Sequence, residues 1–328
     1  MLNKANRTQI PSAEEWTVKN ERGREYVIQI GFPRDWATYE PVAGDSLVPV
    51  LYLTDGNSAF LTALDALHRR LCKRDPSFTS GIIVGIGYPL PADSQPVFDR
   101  ERRQWDLTPP ASPGSSSPEG GGGADEFLDF VCDRVRPFVR QRLAATTRGA
   151  DVSVGREALY GHSFGGLFCL HALFTRPQAF ACFVASSPSI WWDGERVLAE
   201  EAAFLRRQGE GEEGQGLEES GEGNADADAD LEGRNRRKPS LMLFVGGEEE
   251  DPPRRRGESE EAYRKRQARH ETQRMVTNVE TMHRRLRASG RFEHLSCRVY
   301  EGEDHGSVIA CSLSRGLTTF FENWPLEV

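Results

Sequence analysis

An apolar strand, a glycine-flanked turn and a helical run follow one another at Ala158-Leu159-Tyr160-Gly161-His162-Ser163-Phe164-Gly165-Gly166. No other stretch constrains the fold as strongly. It fits G-x-S-x-G, and Leu167, Leu170, His171, Leu173 and Phe174 continue it at helical spacing. A strand that turns directly into a helix holds its serine in strained backbone geometry. Side chains at Gly161 and Gly165 would clash in such a turn, and Gly166 lets the helix lie close to the sheet. The turn lifts the Ser163 hydroxyl above the sheet and aims the first helical N–H groups at the same point. The motif therefore predicts an α/β sheet and a reactive serine. Serine and glycine are common, so a purely structural turn is the competing reading.

The rest of the chain repeats the alternation of strand and helix. Residues 48–53, 81–87, 181–186 and 241–245 are near-continuous apolar runs, as expected of strands covered on both faces. Residues 16–18 and 26–32 alternate apolar and polar side chains around a turn at 20–23, which predicts an antiparallel hairpin. Helices are expected over about 59–74, 124–143 and 257–289 and within 308–324, with a last central strand at 297–300. The pattern predicts a mostly parallel central sheet with helices on both faces. Alternation continues through a Pro/Ser/Gly-rich stretch at 109–123 and an acidic, Gly-rich stretch at 206–240, so both are expected to be insertions within a single domain over 1–328.

Charge and cysteine usage narrow the setting. The 328 residues carry 41 Lys and Arg against 50 Asp and Glu, a net charge of −9. Ten of the acids fall in 209–232, and without them the net charge becomes +1. Nothing in this balance argues for a nucleic-acid partner. The cysteines (Cys72, Cys132, Cys169, Cys182, Cys297 and Cys311) form no C-x-x-C pair, which fits free thiols in a reducing compartment. The polar N-terminal residues lack an apolar leader core, and no stretch has the apolar length of a membrane span. A cytoplasmic protein with no membrane partner is expected.

A serine hydroxyl needs a base to act as a nucleophile at neutral pH. In this kind of sheet the order along the chain is Ser, then acid, then His. His162 lies inside the turn, His68, His171, His270 and His283 fall in helical stretches, and His294 precedes a strand. His305 lies in a loop just past the last predicted strand, at the edge where catalytic groups collect, and is the candidate base. The acid should follow the preceding strand, where Glu248, Glu249, Glu250 and Asp251 stand together. The residues themselves do not choose among the four. An oxyanion needs two N–H donors. Phe164, after the serine, is one; Asn57, in the Asp55-Gly56-Asn57 loop after an early strand, is the other candidate.

Other features point to less. Asp226-x-Asp228-x-Asp230 suggests a calcium loop, but Leu231 and Arg237 occupy the positions that need glycine and glutamate. Arg254-Arg255-Arg256 is balanced by nearby glutamates and reads as a solvated face. Trp191 and Trp192 would point to opposite sides of an extended chain, so that at least one could line a pocket; core packing is the competing reading.

Taken in order, several segments resemble the trilactone siderophore esterases of the α/β-hydrolase superfamily, such as the enterobactin, ferri-bacillibactin and triacetylfusarinine C esterases. They are Leu53-Thr54-Asp55-Gly56-Asn57, Gly85-Ile86-Gly87-Tyr88-Pro89, Arg103-Gln104-Trp105-Asp106-Leu107-Thr108-Pro109, Gly161-His162-Ser163-Phe164-Gly165-Gly166, Ser187-Pro188-Ser189-Ile190-Trp191-Trp192, Val245-Gly246-x-x-Glu249 and Asp304-His305-Gly306-Ser307. The resemblance implies Ser163 as nucleophile, His305 as base and Asn57 and Phe164 as oxyanion donors. It favours Glu249 as the acid, although some members work with a Ser–His dyad. It also implies Arg103 and Trp191 or Trp192 as contacts to an anionic ferric ligand. The implied activity is ester hydrolysis of a cyclic trilactone siderophore, a small-molecule substrate that brings its own iron. Neither a metal nor an organic cofactor is required for that chemistry. A general carboxylesterase, or a siderophore-binding protein without turnover, are the alternative readings.

Overall fold

The computed structural model describes residues 10, 12–33, 47–71, 81–91, 97–111, 122–146, 152–207 and 238–322. The expected hairpin is present as β1 (Ala13–Lys19) and β2 (Glu25–Gly31), paired antiparallel from Ala13 opposite Gly31 to Lys19 opposite Glu25. Its turn is set by Asn20, whose Oδ1 accepts the N–H groups of Arg22 and Arg24 at 3.1 and 2.9 Å.

Six further strands follow: β3 (Leu47–Leu53), β4 (Ile82–Gly87), β5 (Ser153–His162), β6 (Cys182–Ser186), β7 (Ser240–Gly246) and β8 (His294–Tyr300). They join the hairpin in an eight-stranded sheet of order β1-β2-β4-β3-β5-β6-β7-β8. Pairing is antiparallel from β1 through β4 and parallel across β4, β3, β5, β6, β7 and β8. Every residue of β4, β6 and β7 is buried, which is why those strands read as unbroken apolar runs.

Helices cover both faces. On one face lie α1 (Gly56–Leu71) and the last helix of the described chain, Val308–Phe321, whose Phe60, Leu64, Leu67, Leu313, Leu317 and Phe320 pack on Leu51, Tyr160 and Val184. On the other lie α2 (Arg100–Leu107), α3 (Ala124–Phe130), which runs through a π-helical turn at Val131–Val135 into α4 (Arg136–Thr146), and α5 (Phe164–Thr175). A short turn, α6 (Trp192–Glu195), leads to α7 (Val197–Arg207). The chain continues with α8 (Glu260–Gln273) and α9 (Met275–Ala288) before the closing helix, α10 (Val308–Phe321).

Four expectations change. The helix expected over 257–289 is two helices, broken at Arg274 in the left-handed region (φ 46°, ψ 45°). Helix α8 buries no residue, because charged side chains occupy all its sides, whereas α9 buries Met275, Val279, Met282 and Leu286 along one stripe. Helix α1 begins at Gly56, three residues before the expected start. Strand β8 begins at His294, so that histidine lies in the sheet rather than ahead of it. Trp191 and Trp192 are not in extended chain: Trp191 is helical (φ −63°, ψ −15°) and opens α6. The described cysteines are all free thiols; Cys169 and Cys182 are buried, and Cys132, Cys297 and Cys311 are partly so. Cys72, residues 112–121 of the first insertion and 208–237 of the second, including the Asp226–Asp230 triplet, lie outside the described residues. Among the described residues, no helix is long and apolar enough to cross a membrane.

Candidate active site

Parallel strands bring their C-terminal ends to one edge, and the candidate residues gather there. Strand β5 ends at His162, Ser163 takes φ 61° and ψ −117°, and α5 starts at Phe164. For a non-glycine residue that backbone is strained, and it is held on all sides: Ser163 N–H donates to Ser186 O at 3.0 Å, and Ser163 O accepts from Leu167 N–H at 3.0 Å and Ser189 N–H at 3.2 Å. The expected steric role of the glycines is met directly. A Cβ on Gly161 would stand 2.1 Å from Gly165 O, and one on Gly165 would stand 2.3 Å from Thr54 Oγ1. Ser163 is partly exposed, and its Oγ lies 3.5 Å from Ser189 Oγ.

Of the four adjacent carboxylates, the structure singles out Glu249. It closes a 3-10 turn after β7 and is 1% exposed. Its Oε1 accepts the Ser187 hydroxyl at 2.5 Å and the Gly246 N–H at 2.7 Å. Its Oε2 accepts His305 Nδ1–H at 2.6 Å. Glu250 instead turns outward to Thr277, accepting its N–H and its hydroxyl, each at 2.7 Å. The loops after β7 and β8 are stitched by Glu248 N–H to Glu303 O at 3.1 Å, which brings Glu249 and His305 together. Asp304 shapes the second loop, its Oδ1 accepting the N–H groups of Gly306 and Ser307 at 2.8 and 2.9 Å. With Nδ1–H given to a carboxylate, Nε2 of His305 is the face able to accept a proton. The His305 side chain is 44% exposed, so a buried carboxylate holds an accessible imidazole.

Asn57 lies in the first turn of α1, at the end of β3. Its side chain is fixed on the end of β4, with Nδ2 donating to Tyr88 O at 3.0 Å and Oδ1 accepting Tyr88 N–H at 2.7 Å. Gly56 permits this approach, since a Cβ there would lie 2.7 Å from the backbone of Gly85 and Ile86. The N–H groups of Asn57 and Phe164 both belong to first helical turns, where helix geometry offers no intrahelical acceptor.

The three residues implied for ligand contact are placed differently from one another. Trp191 is partly exposed and its ring lies 6.3 Å from that of Phe164, beside the elbow. Trp192 is 3% exposed and belongs to the core. Arg103, on α2, directs its guanidinium inward to Asp55 and to the carbonyl of His162. Arg254, Arg255 and Arg256 are exposed, and Arg254 pairs with Glu258 O and Glu260, as a solvated face would.

Several contributors were not singled out from the residues. The His162 ring lies 4.5 Å from that of His305, and its Nδ1 bonds to Ser186 Oγ at 3.2 Å. Burial, with the His305 and Arg103 charges nearby, holds its pKa well below the usual histidine range. His270, on α8, reaches Glu249 O with Nδ1 at 2.8 Å. Ser187 falls in the quoted Ser-Pro-Ser segment at a strand end, a place that could have pointed to it; His270 has no such local mark. Among the described residues, no group of three or more His, Cys, Asp or Glu side chains is placed to hold a metal ion.

This arrangement can lend a proton acceptor to a serine and two backbone donors to a developing oxyanion. Residues 20–291 match the family model described as "Putative esterase". The chain belongs to this esterase family. The esterase is 41% identical over 318 residues to the siderophore triacetylfusarinine C esterase of Aspergillus fumigatus, covering 97% of this chain and 96% of that one. It is 40% identical over 310 residues to the siderophore enterobactin esterase of Emericella nidulans, covering 92% of this chain and 91% of the relative. Among solved structures, siderophore hydrolase EstB from Aspergillus nidulans superposes with a TM-score of 0.82 at 42% identity, covering 99% of this chain and all of that one. The esterase thus has a single mostly parallel sheet in the α/β arrangement of these hydrolases.

Proposed function

We propose that this esterase opens the ester bonds of a cyclic trilactone siderophore carrying ferric iron, and that it does so as one domain with Ser163, His305 and Glu249 as its triad. The observation that carries the chemistry is the 2.6 Å bond from His305 Nδ1–H to the buried Glu249, at the same sheet edge as the strained Ser163. Near full-length similarity to two named siderophore esterases supports the substrate class.

Ser163 Oγ attacks the ester carbonyl carbon while His305 Nε2 takes its proton, and Glu249 stabilises the imidazolium that results. The N–H groups of Phe164 and Asn57 receive the oxyanion. Collapse of the tetrahedral intermediate breaks the C–O bond, and His305 returns the proton to the leaving alkoxide. A water then attacks the acyl-serine as His305 takes its proton; the second tetrahedral intermediate collapses, the bond to Ser163 Oγ breaks, and His305 returns the proton to Oγ, releasing the acid and free Ser163. Ring opening converts a preorganised iron ligand into linear pieces that hold the metal less tightly. Trp191, partly exposed beside the elbow, is suited to meet the acyl part of the substrate with a flat apolar surface. The free cysteines suit a reducing interior, and the proposed place of action is the cytoplasm.

Incubation with ferric triacetylfusarinine C, enterobactin and bacillibactin, followed by mass spectrometry, tests the substrate. Linear products that disappear in Ser163→Ala are expected. Intact trilactones alongside rapid turnover of nitrophenyl esters would overturn the substrate class and leave a general carboxylesterase.

A further inference from the structure

The two donors of the oxyanion site stand on separate segments, Asn57 after β3 and Phe164 after β5. Their spacing has to match the position of a single oxygen, because each donor acts only within about 2.7–3.1 Å of the developing charge. We propose that Arg103 is a positioning residue that sets this spacing, as a strut between the two donor segments; the inference rests on the hydrolase reading of the site. Its Nε donates to Asp55 Oδ1 at 2.7 Å, and one terminal nitrogen donates to His162 O at 3.2 Å. Asp55 precedes Asn57 by two residues, and His162 precedes Phe164 by two. One rigid guanidinium therefore spans equivalent points on both segments.

The surroundings fit a strut. The side chains of Arg103 and Asp55 are only 14% and 7% exposed. Asp55 is itself in the left-handed region (φ 52°), a conformation that needs neighbours to hold it. The guanidinium lies 5.1 Å from the Phe98 ring and 5.4 Å from the Phe164 ring, so its plane has company on the oxyanion side. Helix α2 is anchored independently. Asp99 caps it by accepting the Arg102 N–H at 3.1 Å, and the Arg102 guanidinium sits 4.6 and 4.9 Å from the rings of Tyr26 and Tyr88. Tyr88 is the residue whose backbone clamps Asn57. The Asp55 carboxylate neutralises Arg103 from within, so its charge is engaged before any ligand arrives. Lysine could meet Asp55 as a point charge but lacks the planar fork that reaches both partners.

The test measures how fast an uncharged dialkyl fluorophosphonate labels Ser163, since its P=O oxygen occupies the oxyanion position, together with kcat and KM on 4-nitrophenyl acetate. Neither probe carries an anionic group or iron. Arg103→Gln is expected to slow labelling and kcat about tenfold to a hundredfold, the scale of a misplaced catalytic contact, with KM changed less than about threefold. Arg103→Lys should fall between. Labelling of Arg103→Gln within about twofold of wild type would overturn the strut, and a raised KM confined to ferric trilactones would reassign Arg103 to the ligand. Should Arg103→Gln melt at the assay temperature, Arg103→Lys decides by the same threshold. Absence of Ser163 labelling in the wild type would overturn the hydrolase reading itself.

Discussion

Glu249 uses its two oxygens for different purposes, and substitution should separate them. Oε2 faces His305, while Oε1 satisfies the buried Ser187 hydroxyl and Gly246 N–H. In Glu249→Gln the amide oxygen can keep both buried donors. The amide NH2 then faces His305 Nδ1 and forces the proton onto Nε2, the atom that must accept from Ser163. An acid-to-amide change of this kind costs about 10⁴ in kcat in a serine-protease triad. At about 1.4 kcal/mol per tenfold, that is roughly 5 kcal/mol of transition-state stabilisation, with little loss of folding stability. Glu249→Ala should lose a comparable factor in kcat, but it also strands two buried donors at about 1–3 kcal/mol each, lowering stability by about 2–6 kcal/mol. The assay pairs kcat on a nitrophenyl ester with urea unfolding of both variants. A Glu249→Gln enzyme within tenfold of wild type would refute the orienting role, and equal stability of the two variants would refute the division of labour between the oxygens.

Ser163→Ala and His305→Ala should each reduce ester turnover more than about a thousandfold while leaving circular dichroism unchanged; retained turnover in either would remove it from the triad. Gly161→Ala places a Cβ 2.1 Å from Gly165 O, where backbone and not a side chain must give way, so a stability loss of about 3 kcal/mol or more is expected in urea unfolding. His171, 1% exposed, is pushed down by burial but raised further by its bonds to Asp125 and Glu200, to about 9. Its folded pKa exceeds the unfolded value of about 6.5, so its contribution is complete below pH 6.5 and disappears as pH rises through 9, a change of about 3 kcal/mol. His171→Gln should flatten the stability profile between those values, and an unaltered profile would show that the pair contributes nothing.

Periodicity and glycine placement made the sheet legible because they act locally. A strand covered on both faces has to be apolar throughout, as β4, β6 and β7 are, and a strand-to-helix turn has no room for side chains at Gly161 or Gly165. The same local logic failed at 257–289. Helical propensity runs through Arg274, and only the packing of α9 against a core that α8 does not reach explains the break.

The sequence by itself determined the kind of fold, the serine at the elbow and the histidine in the loop after the last strand. Each is specified by a short stretch whose residues answer to their immediate neighbours. Which of the four adjacent carboxylates meets His305 was decided by the tertiary structure. Only one of the four turns inward, onto Ser187 from the end of β6 and His305 from the loop after β8. The inward course of Arg103 and the division of Trp191 from Trp192 were decided in the same way. A side chain's partner 48 or 59 positions away leaves no trace in its own segment, and the contact forms only once the strand ends converge.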